Sequence, residues 1–178
     1  KSNYIYIYMD KKNNNEFYKT KKSDHYFTTD DTFKLISKYI PKNKKVIMPF
    51  YNKYSKCDKL LKKYIDNEII YEDKNFFNLK FDKDNEIIID NPPFSSKKEI
   101  FKKINDENVP FMLIIPIATL TYQYFKDLHK KNIQIIIFPK RQKFMKLLNE
   151  EVEAPTNPAF DTICVCSQVN LKNDIIFL

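Results

Sequence analysis

The chain has 178 residues, of which 43% are hydrophobic and 15% aromatic, and it carries a formal net charge of +8. This composition provides enough apolar material for one folded domain over 1–178 and excludes a disordered tail. No apolar run approaches the ~20 residues of a membrane-spanning helix, so no membrane role is expected. The three cysteines form no CxxC pair, which favours an intracellular, reducing compartment and no metal site.

The predicted elements follow a regular order along the chain. Residues 1–23 predict a strand and then a polar arm, because NYIYIYM alternates and is followed by a segment rich in Lys and Asn. Buried strands are predicted over 46–48, 69–71, 87–89, 111–115, 133–138 and 160–169. Helices are predicted over 32–40, 55–65, 96–104 and 120–131, and 140–158 is predicted to be a polar, partly helical segment. Continuous apolar strands alternating with helices indicate an α/β domain with a mostly parallel sheet covered on both faces.

Local signals mark two helix starts and the turns. Thr29, followed by two aspartates, is typical of a helix N-cap, and Ser96 with Glu99 matches a capping box. The chain contains no glycine, the residue that adopts positive φ without strain. Asn and Asp are therefore expected at the turn positions that require positive φ.

The most informative stretch is IIIDNPPF, where an apolar strand ends in Asn91, Pro92, Pro93 and Phe94. In open α/β sheets ligands bind beyond the carboxyl ends of the strands. The Asn91 side-chain oxygen and the Pro92 carbonyl could accept the two hydrogens of an amino group on a planar ring. The prolines stiffen the backbone and Phe94 offers a stacking face. The alternative is a rigid strand-to-helix turn with no ligand.

Asn91-Pro92-Pro93-Phe94 resembles the (D/N)PP(Y/F/W) motif of amino-methyltransferases that use S-adenosylmethionine, chiefly those that act on adenine N6. The resemblance is strongest to small phage and viral adenine-methyltransferase-like proteins. It implies a Rossmann-like methyltransferase fold and direct in-line methyl transfer to an adenine amino group in DNA or RNA. The four motif residues would hold the target base, which must be single-stranded or flipped out of a duplex.

The resemblance extends to segments that lie near the cofactor in that family. Tyr26-Phe27-Thr28-Thr29 is similar to an aromatic-Thr-Pro segment, Met48-Pro49-Phe50 to a D-P-F opening, and Asn75-Phe76-Phe77 to a D-x-F or D-F-F segment. Glu72 matches an acid that binds ribose hydroxyls, and Asp73 competes for that role. The residues thus assigned to S-adenosylmethionine are Phe27, Thr28, Pro49, Phe50, Glu72, Asp73, Asn75 and Phe76. Core packing for the aromatic residues and solvation for the acids remain open alternatives.

A short basic cluster lies downstream. Lys140, Arg141 and Lys143 follow a predicted strand, where the small phage and viral proteins carry similar strings. These residues either contact nucleic-acid phosphates or form a solvated face.

Three functions therefore stand at this point. The first is an N6-adenine methyltransferase of DNA or RNA, in the cytoplasm or in a viral factory or virion. The second is a catalytically inactive methyltransferase-fold subunit of a larger assembly, because the family's cofactor loop is glycine-rich whereas residues 49–55 contain no glycine. The third, methylation of a protein glutamine, is disfavoured because relatives with that activity usually carry tyrosine where Phe94 stands.

Overall fold

The structure is a computed structural model that describes residues 26–50, 54, 56–71, 75–126, 132–148 and 151–178. The predicted N-terminal strand and polar arm lie outside the described residues, and so do Glu72 and Asp73. Within the described part, no helix is both long enough and apolar enough to span a membrane.

The centre of the fold is a seven-stranded sheet. Its strands are β2 (Lys45–Ile47), β3 (Ile69–Ile70), β4 (Glu86–Asp90), β5 (Phe111–Pro116), β6 (Ile133–Ile137), β9 (Thr162–Ser167) and β10 (Ile175–Phe177). They lie in the order β10-β6-β9-β5-β4-β2-β3. All neighbours are parallel except β9, which runs antiparallel to both β5 and β6. The predicted mostly parallel α/β sheet is confirmed, with β10 as a strand that the sequence pattern does not predict.

Helices cover both faces of this sheet. α1 (Asp30–Ser37) and α2 (Cys57–Lys62) contribute to one apolar cluster, and α3 (Lys97–Glu107) and α4 (Gln123–Lys126) to a second. Successive strand residues point to opposite faces. Ile87 and Ile89 accordingly join the first cluster, whereas Ile88 joins the second. The sheet is therefore doubly covered, as the Rossmann-like prediction requires.

Both predicted helix caps lie at the N-cap position, but neither side chain makes a capping hydrogen bond to a backbone N–H. Thr29 is the N-cap of α1, and its hydroxyl lies 3.1 Å from that of Thr32. Ser96 is the N-cap of α3, but its side chain makes no capping hydrogen bond, so the capping box is wrong. The reason is the 3-10 turn Phe94–Ser96 before the helix, in which Ser96 N–H donates to the Pro93 carbonyl at 3.1 Å.

A second, antiparallel sheet packs beside the first. It contains β1 (Tyr26–Thr28), β7 (Phe144–Leu148) and β8 (Glu151–Val152), in the order β1-β7-β8. The partly helical prediction for 140–158 is therefore wrong. Phe144 is fully buried in the α1 and α2 cluster and exchanges two backbone hydrogen bonds with Thr156. These long-range contacts override the weak local pattern of the segment.

The turns show how the chain manages without glycine. Among the described residues, positive φ occurs at Lys56, Asn108, Asn132, Gln168 and Asn170. Three of the five are asparagines, as predicted, but no aspartate is used and Lys56 and Gln168 are unexpected. All but Lys56 lie at the end of the sheet where the parallel strands begin.

Candidate active site

The candidate site lies where the sheet topology reverses. From β2 the chain moves outward to β3, then crosses back to β4 on the other side of β2. The crevice beyond the carboxyl ends of β2 and β4 is therefore the switch point at which open α/β sheets bind ligands. Met48, Pro49 and Phe50 follow β2 there, and the Asn91 to Phe94 motif follows β4.

Asp90 connects the two strand ends. Its Oδ2 accepts the Phe50 N–H at 2.8 Å, and its Oδ1 accepts the Asn91 N–H at 2.8 Å. The side chain is buried, with 7% of the residue exposed. Burial raises the pKa of Asp90 to about 7, although both backbone N–H groups act in the opposite direction. The motif resemblance assigns no role to Asp90, although an acid at the end of an otherwise apolar run is visible in the sequence.

Asn91 is held so that one amide atom remains unused. Its Nδ2 donates to the Tyr26 carbonyl at 2.7 Å. Because a carbonyl can only accept, this bond fixes which side of the amide carries oxygen. The Asn91 Oδ1 atom is shielded from solvent and has no hydrogen-bond partner. A buried acceptor without a partner costs free energy, so the site maintains an unsatisfied acceptor beside the two buried prolines.

Phe94 is half-buried in an aromatic cluster. Its ring stacks on Tyr26, with 6.1 Å between centroids and 25° between planes. It meets Phe160 edge-on at 5.3 Å. The Lys97 ammonium lies 5.3 Å from the Phe94 centroid. A planar ligand that stacks on Phe94 must displace one of these neighbours, and Lys97 is the one that contacts the ring through an ammonium group rather than through a packed aromatic ring.

The residues assigned to the cofactor fall into three groups. Phe50 and Phe76 meet at the switch point, with 4.8 Å between ring centroids. Both residues are buried in the cluster of α3 and α4, Phe76 with only 1% exposed, so the structure supports core packing for this pair. Asn75 caps the short 3-10 helix Phe76–Asn78, with its Oδ1 accepting the Phe77 N–H at 3.0 Å.

The second group lies on or next to strands and is buried. Phe27 packs in the core cluster of α1 and α2, and Thr28 accepts a hydrogen bond from the Cys57 thiol at its carbonyl. Pro49 is buried directly after Met48. The third group, Glu72 and Asp73, lies outside the described residues. The structure thus brings Phe50 and Phe76 to the Asn91 site, while Phe27 and Thr28 lie on β1, next to Tyr26.

The basic cluster lines a separate groove. Lys140, Arg141 and Lys143 are exposed and border a cavity of about 740 Å³ that is also lined by Lys34 of α1. Arg141 is engaged in a two-bond pair with Asp161, at 2.8 and 3.2 Å. This pair holds the pKa of the Asp161 carboxyl below its usual value. Arg141 is therefore partly neutralised, so Lys34, Lys140 and Lys143 carry the positive charge of a groove that Asp31 also lines.

Gln142, to which no sequence motif assigns a role, lies between the basic residues of this groove. The residue is 3% exposed. Its Oε1 accepts from the Thr32 hydroxyl at 3.0 Å, and its Nε2 donates to the Lys140 carbonyl at 2.7 Å. With Gln142 turned inward, the lysines on either side of it are exposed on the groove wall.

The cysteines and the other possible metal ligands are the last candidate groups. Among the described residues, no three His, Cys, Asp or Glu side chains form a group that could hold an ion. Cys164 and Cys166 are strand residues, as predicted, with their sulfurs 3.9 Å apart on one face of β9.

No protein-family model and no curated protein matches the chain. Among solved structures, it is similar to the tRNA methyltransferase TrmI from Aquifex aeolicus, at 13% identity and a TM-score of 0.40, over 78% of this chain and 67% of that one. It is also similar to an S-adenosylmethionine-dependent O-methyltransferase from Thermotoga maritima, at 12% identity and a TM-score of 0.39, over 81% of this chain and 66% of that one. The chain thus spans about two thirds of the length of each.

Proposed function

We propose that the protein is an S-adenosylmethionine-dependent methyltransferase that modifies the N6 amino group of adenine in DNA or RNA. The observation that carries the proposal is the unpartnered Asn91 Oδ1 at the switch point. An acceptor fixed in orientation, buried and unsatisfied is suited to a ligand that donates N–H. The adenine amino group is such a donor, and Phe94 supplies an aromatic surface for its ring.

The described residues fit the cofactor in part. Phe50 and Phe76 supply aromatic rings at this strand end, but with 8% and 1% of the residues exposed a purine moiety would reach them only after the side chains that cover them move. The acids suited to its ribose, Glu72 or Asp73, follow β3 in sequence. Bound S-adenosylmethionine supplies a methyl group on a positively charged sulfur.

The residues of this chain would act by orientation. Asn91 Oδ1 accepts one amino hydrogen and the Pro92 carbonyl accepts the other, which keeps the nitrogen lone pair out of the ring and directed at the methyl carbon. Bound S-adenosylmethionine would supply the electrophilic methyl group: the amino nitrogen would gain the N–C bond, and the sulfur would keep the electron pair of the methyl–sulfur bond. The amino nitrogen then loses a proton to water, so no general base is required. Catalysis on this scheme is positioning and electrostatics.

Access to the site requires an unpaired base. Asn91 Oδ1 is shielded, so the adenine must insert beside Phe94 and displace the Lys97 ammonium from the ring. A base stacked in a duplex cannot do this, which favours single-stranded or flipped-out substrate. Lys140 and Lys143 would contact the phosphates. A phosphate that reaches Arg141 has to compete with Asp161.

The first experiment is isothermal titration with S-adenosylmethionine and S-adenosylhomocysteine, repeated with Glu72→Ala. We expect micromolar binding that Glu72→Ala weakens. Methyl transfer to single-stranded DNA and RNA is then measured for the wild type, for Asn91→Ala and for Asn43→Ala. Asn43 is an exposed asparagine remote from the switch point, so it is the matched control. Equal methyl transfer by all three proteins would contradict the role of Asn91.

A second function is favoured by a specific observation. The Phe50 N–H is bonded to Asp90 and the Phe50 ring is packed on Phe76, so this strand end has little freedom to adapt to a ligand. The alternative is therefore a non-catalytic subunit that needs a partner to complete the pocket or serves as a scaffold in a larger complex. Absence of cofactor binding at millimolar concentration would favour it.

A further inference from the structure

We propose that Tyr122 is a stacking platform for the nucleotide next to the target base, with Lys97 bridging the phosphate between them. The inference rests on the proposed function, because it assigns a place to the neighbouring nucleotide of the same single-stranded substrate. It identifies a nucleic-acid contact outside the Asn91 motif and outside the basic groove.

Tyr122 lies directly beside the candidate site in the fold. It follows β5, the strand paired with β4, and the 3-10 helix Ile117–Thr121 connects the two. The Tyr122 N–H donates to the Thr119 carbonyl at 3.2 Å, which fixes the backbone at this point. The residue is therefore at the same carboxyl edge of the sheet as Phe94.

The Tyr122 ring is exposed but supported from below. It is 46% exposed, one of few large apolar side chains in the described chain with that much surface. Its ring lies 5.5 Å from Tyr124 at 30°, and Tyr124 lies 6.2 Å from Phe101 at 31°. Phe101 is 1% exposed in the core. Three rings, each tilted by about 30° to the next, thus lead from the core to the surface and support the outermost one from one side.

Tyr124 strengthens this arrangement. Tyr124 is partly buried, which raises the pKa of its hydroxyl to about 12. Its contact with the buried Phe101 anchors the middle ring on the core. The exposed position of Tyr122 is therefore held by packing.

Lys97 links this stack to Phe94. Its ammonium lies 5.3 Å from the Phe94 centroid and 5.8 Å from the Tyr122 centroid. The two rings are therefore at most about 11 Å apart, with a positive charge between them. This order matches a single strand whose target base is turned aside. Phe94 would contact the target base, Lys97 the phosphate that follows it, and Tyr122 the neighbouring base. When the target base displaces Lys97 from Phe94, the ammonium moves toward that phosphate.

The test measures binding by fluorescence anisotropy without a methyl donor. The probes are a labelled twelve-nucleotide oligo-dA and a matching strand in which every base is absent. Both strands carry the same phosphates, so the difference in affinity reports the bases alone. The proteins are the wild type, Tyr122→Ala, Tyr122→Phe and Phe177→Ala, the last removing an aromatic side chain that is 77% exposed on the outer strand β10.

We expect the wild type to prefer oligo-dA over the abasic strand. Tyr122→Ala should weaken oligo-dA binding about tenfold and leave abasic binding unchanged, whereas Tyr122→Phe and Phe177→Ala should keep the preference. The inference is overturned if the wild type shows no preference or if Tyr122→Ala binds oligo-dA like the wild type. Methyl transfer is scored separately with Asn91→Ala. If Tyr122→Ala weakens oligo-dA binding but no methyl transfer is detected, the proposed function is overturned and the stacking role of Tyr122 stands. If methyl transfer depends on Asn91 but oligo-dA binding does not depend on Tyr122, only the stacking role is overturned.

Discussion

The buried Asp90 predicts that the protein loses stability as pH rises from 5 to 8. The folded-state pKa is about 7, compared with 3.8 for an unperturbed carboxyl. Between these values the folded state binds more protons than the unfolded state, so the free energy of unfolding falls as pH rises and levels off above the folded pKa. A pKa raised by about 3 units corresponds to about 4 kcal/mol in total, of which about 2.5 kcal/mol falls between pH 5 and pH 8.

The assay is urea denaturation followed by circular dichroism at four pH values from 5 to 8, for the wild type and for Asp90→Asn. The asparagine side chain has one oxygen acceptor, so in the variant either the Phe50 N–H or the Asn91 N–H loses its hydrogen bond. This loss lowers the free energy of unfolding by an amount that does not depend on pH. The informative quantity is therefore the difference between the two proteins as a function of pH. That difference should change by about 2.5 kcal/mol over the range, in favour of the variant at high pH. Two parallel curves would refute the reasoning.

The remaining predictions concern packing, backbone strain and phosphate contacts. Phe101→Ala should destabilise the fold by about 3–5 kcal/mol in urea denaturation, since it leaves a cavity under the Tyr122 stack; a loss below 1 kcal/mol would contradict this packing. Lys56→Gly should stabilise the protein by up to about 1 kcal/mol, because Lys56 has a φ of 50°, and a destabilised variant would count against backbone strain there. Lys140→Ala and Lys143→Ala should each weaken single-strand binding regardless of sequence and lower the salt slope by about 0.7. Lys172→Ala, on an exposed loop, is the control. An equal loss of binding in that variant would mean that the lysines of the groove act only through the net charge of the protein.

The strands that the sequence predicts well share one property. β5 and residues 87–89 of β4 are continuous apolar runs that are buried on both faces, so local composition and tertiary position agree. Because the apolar run ends just before Asn91, the sequence alone places the Asn91 motif at the carboxyl end of β4, the edge at which such sheets bind ligands. The switch point itself follows from the order of the strands in the sheet, which the sequence does not give.

Other features depend on contacts between distant residues, which no local pattern records. β7 is a strand because it pairs with β1, more than a hundred residues earlier. The pairing of Arg141 with Asp161 changes the interpretation of a basic string that looks fully available in sequence. The proximity of Lys97 to Tyr122 joins two predicted helices, and no local pattern indicates that they meet. Sequence identifies the motif here, and folding supplies its neighbours.

The position of β9 has a consequence for how the protein folds during synthesis. β5 and β6 are consecutive parallel strands, yet they never touch through hydrogen bonds, because β9 fills the place between them and is buried at all six residues. Until residues 162–167 leave the ribosome, both inner edges remain unpaired templates for other strands. The sheet therefore closes late, through contacts of high sequence separation, which slow folding and lengthen exposure to aggregation. If a cut in the chain between β6 and β9 allowed β9 to dissociate, the sheet would lose a central strand, and the edges of β5 and β6 would both be exposed.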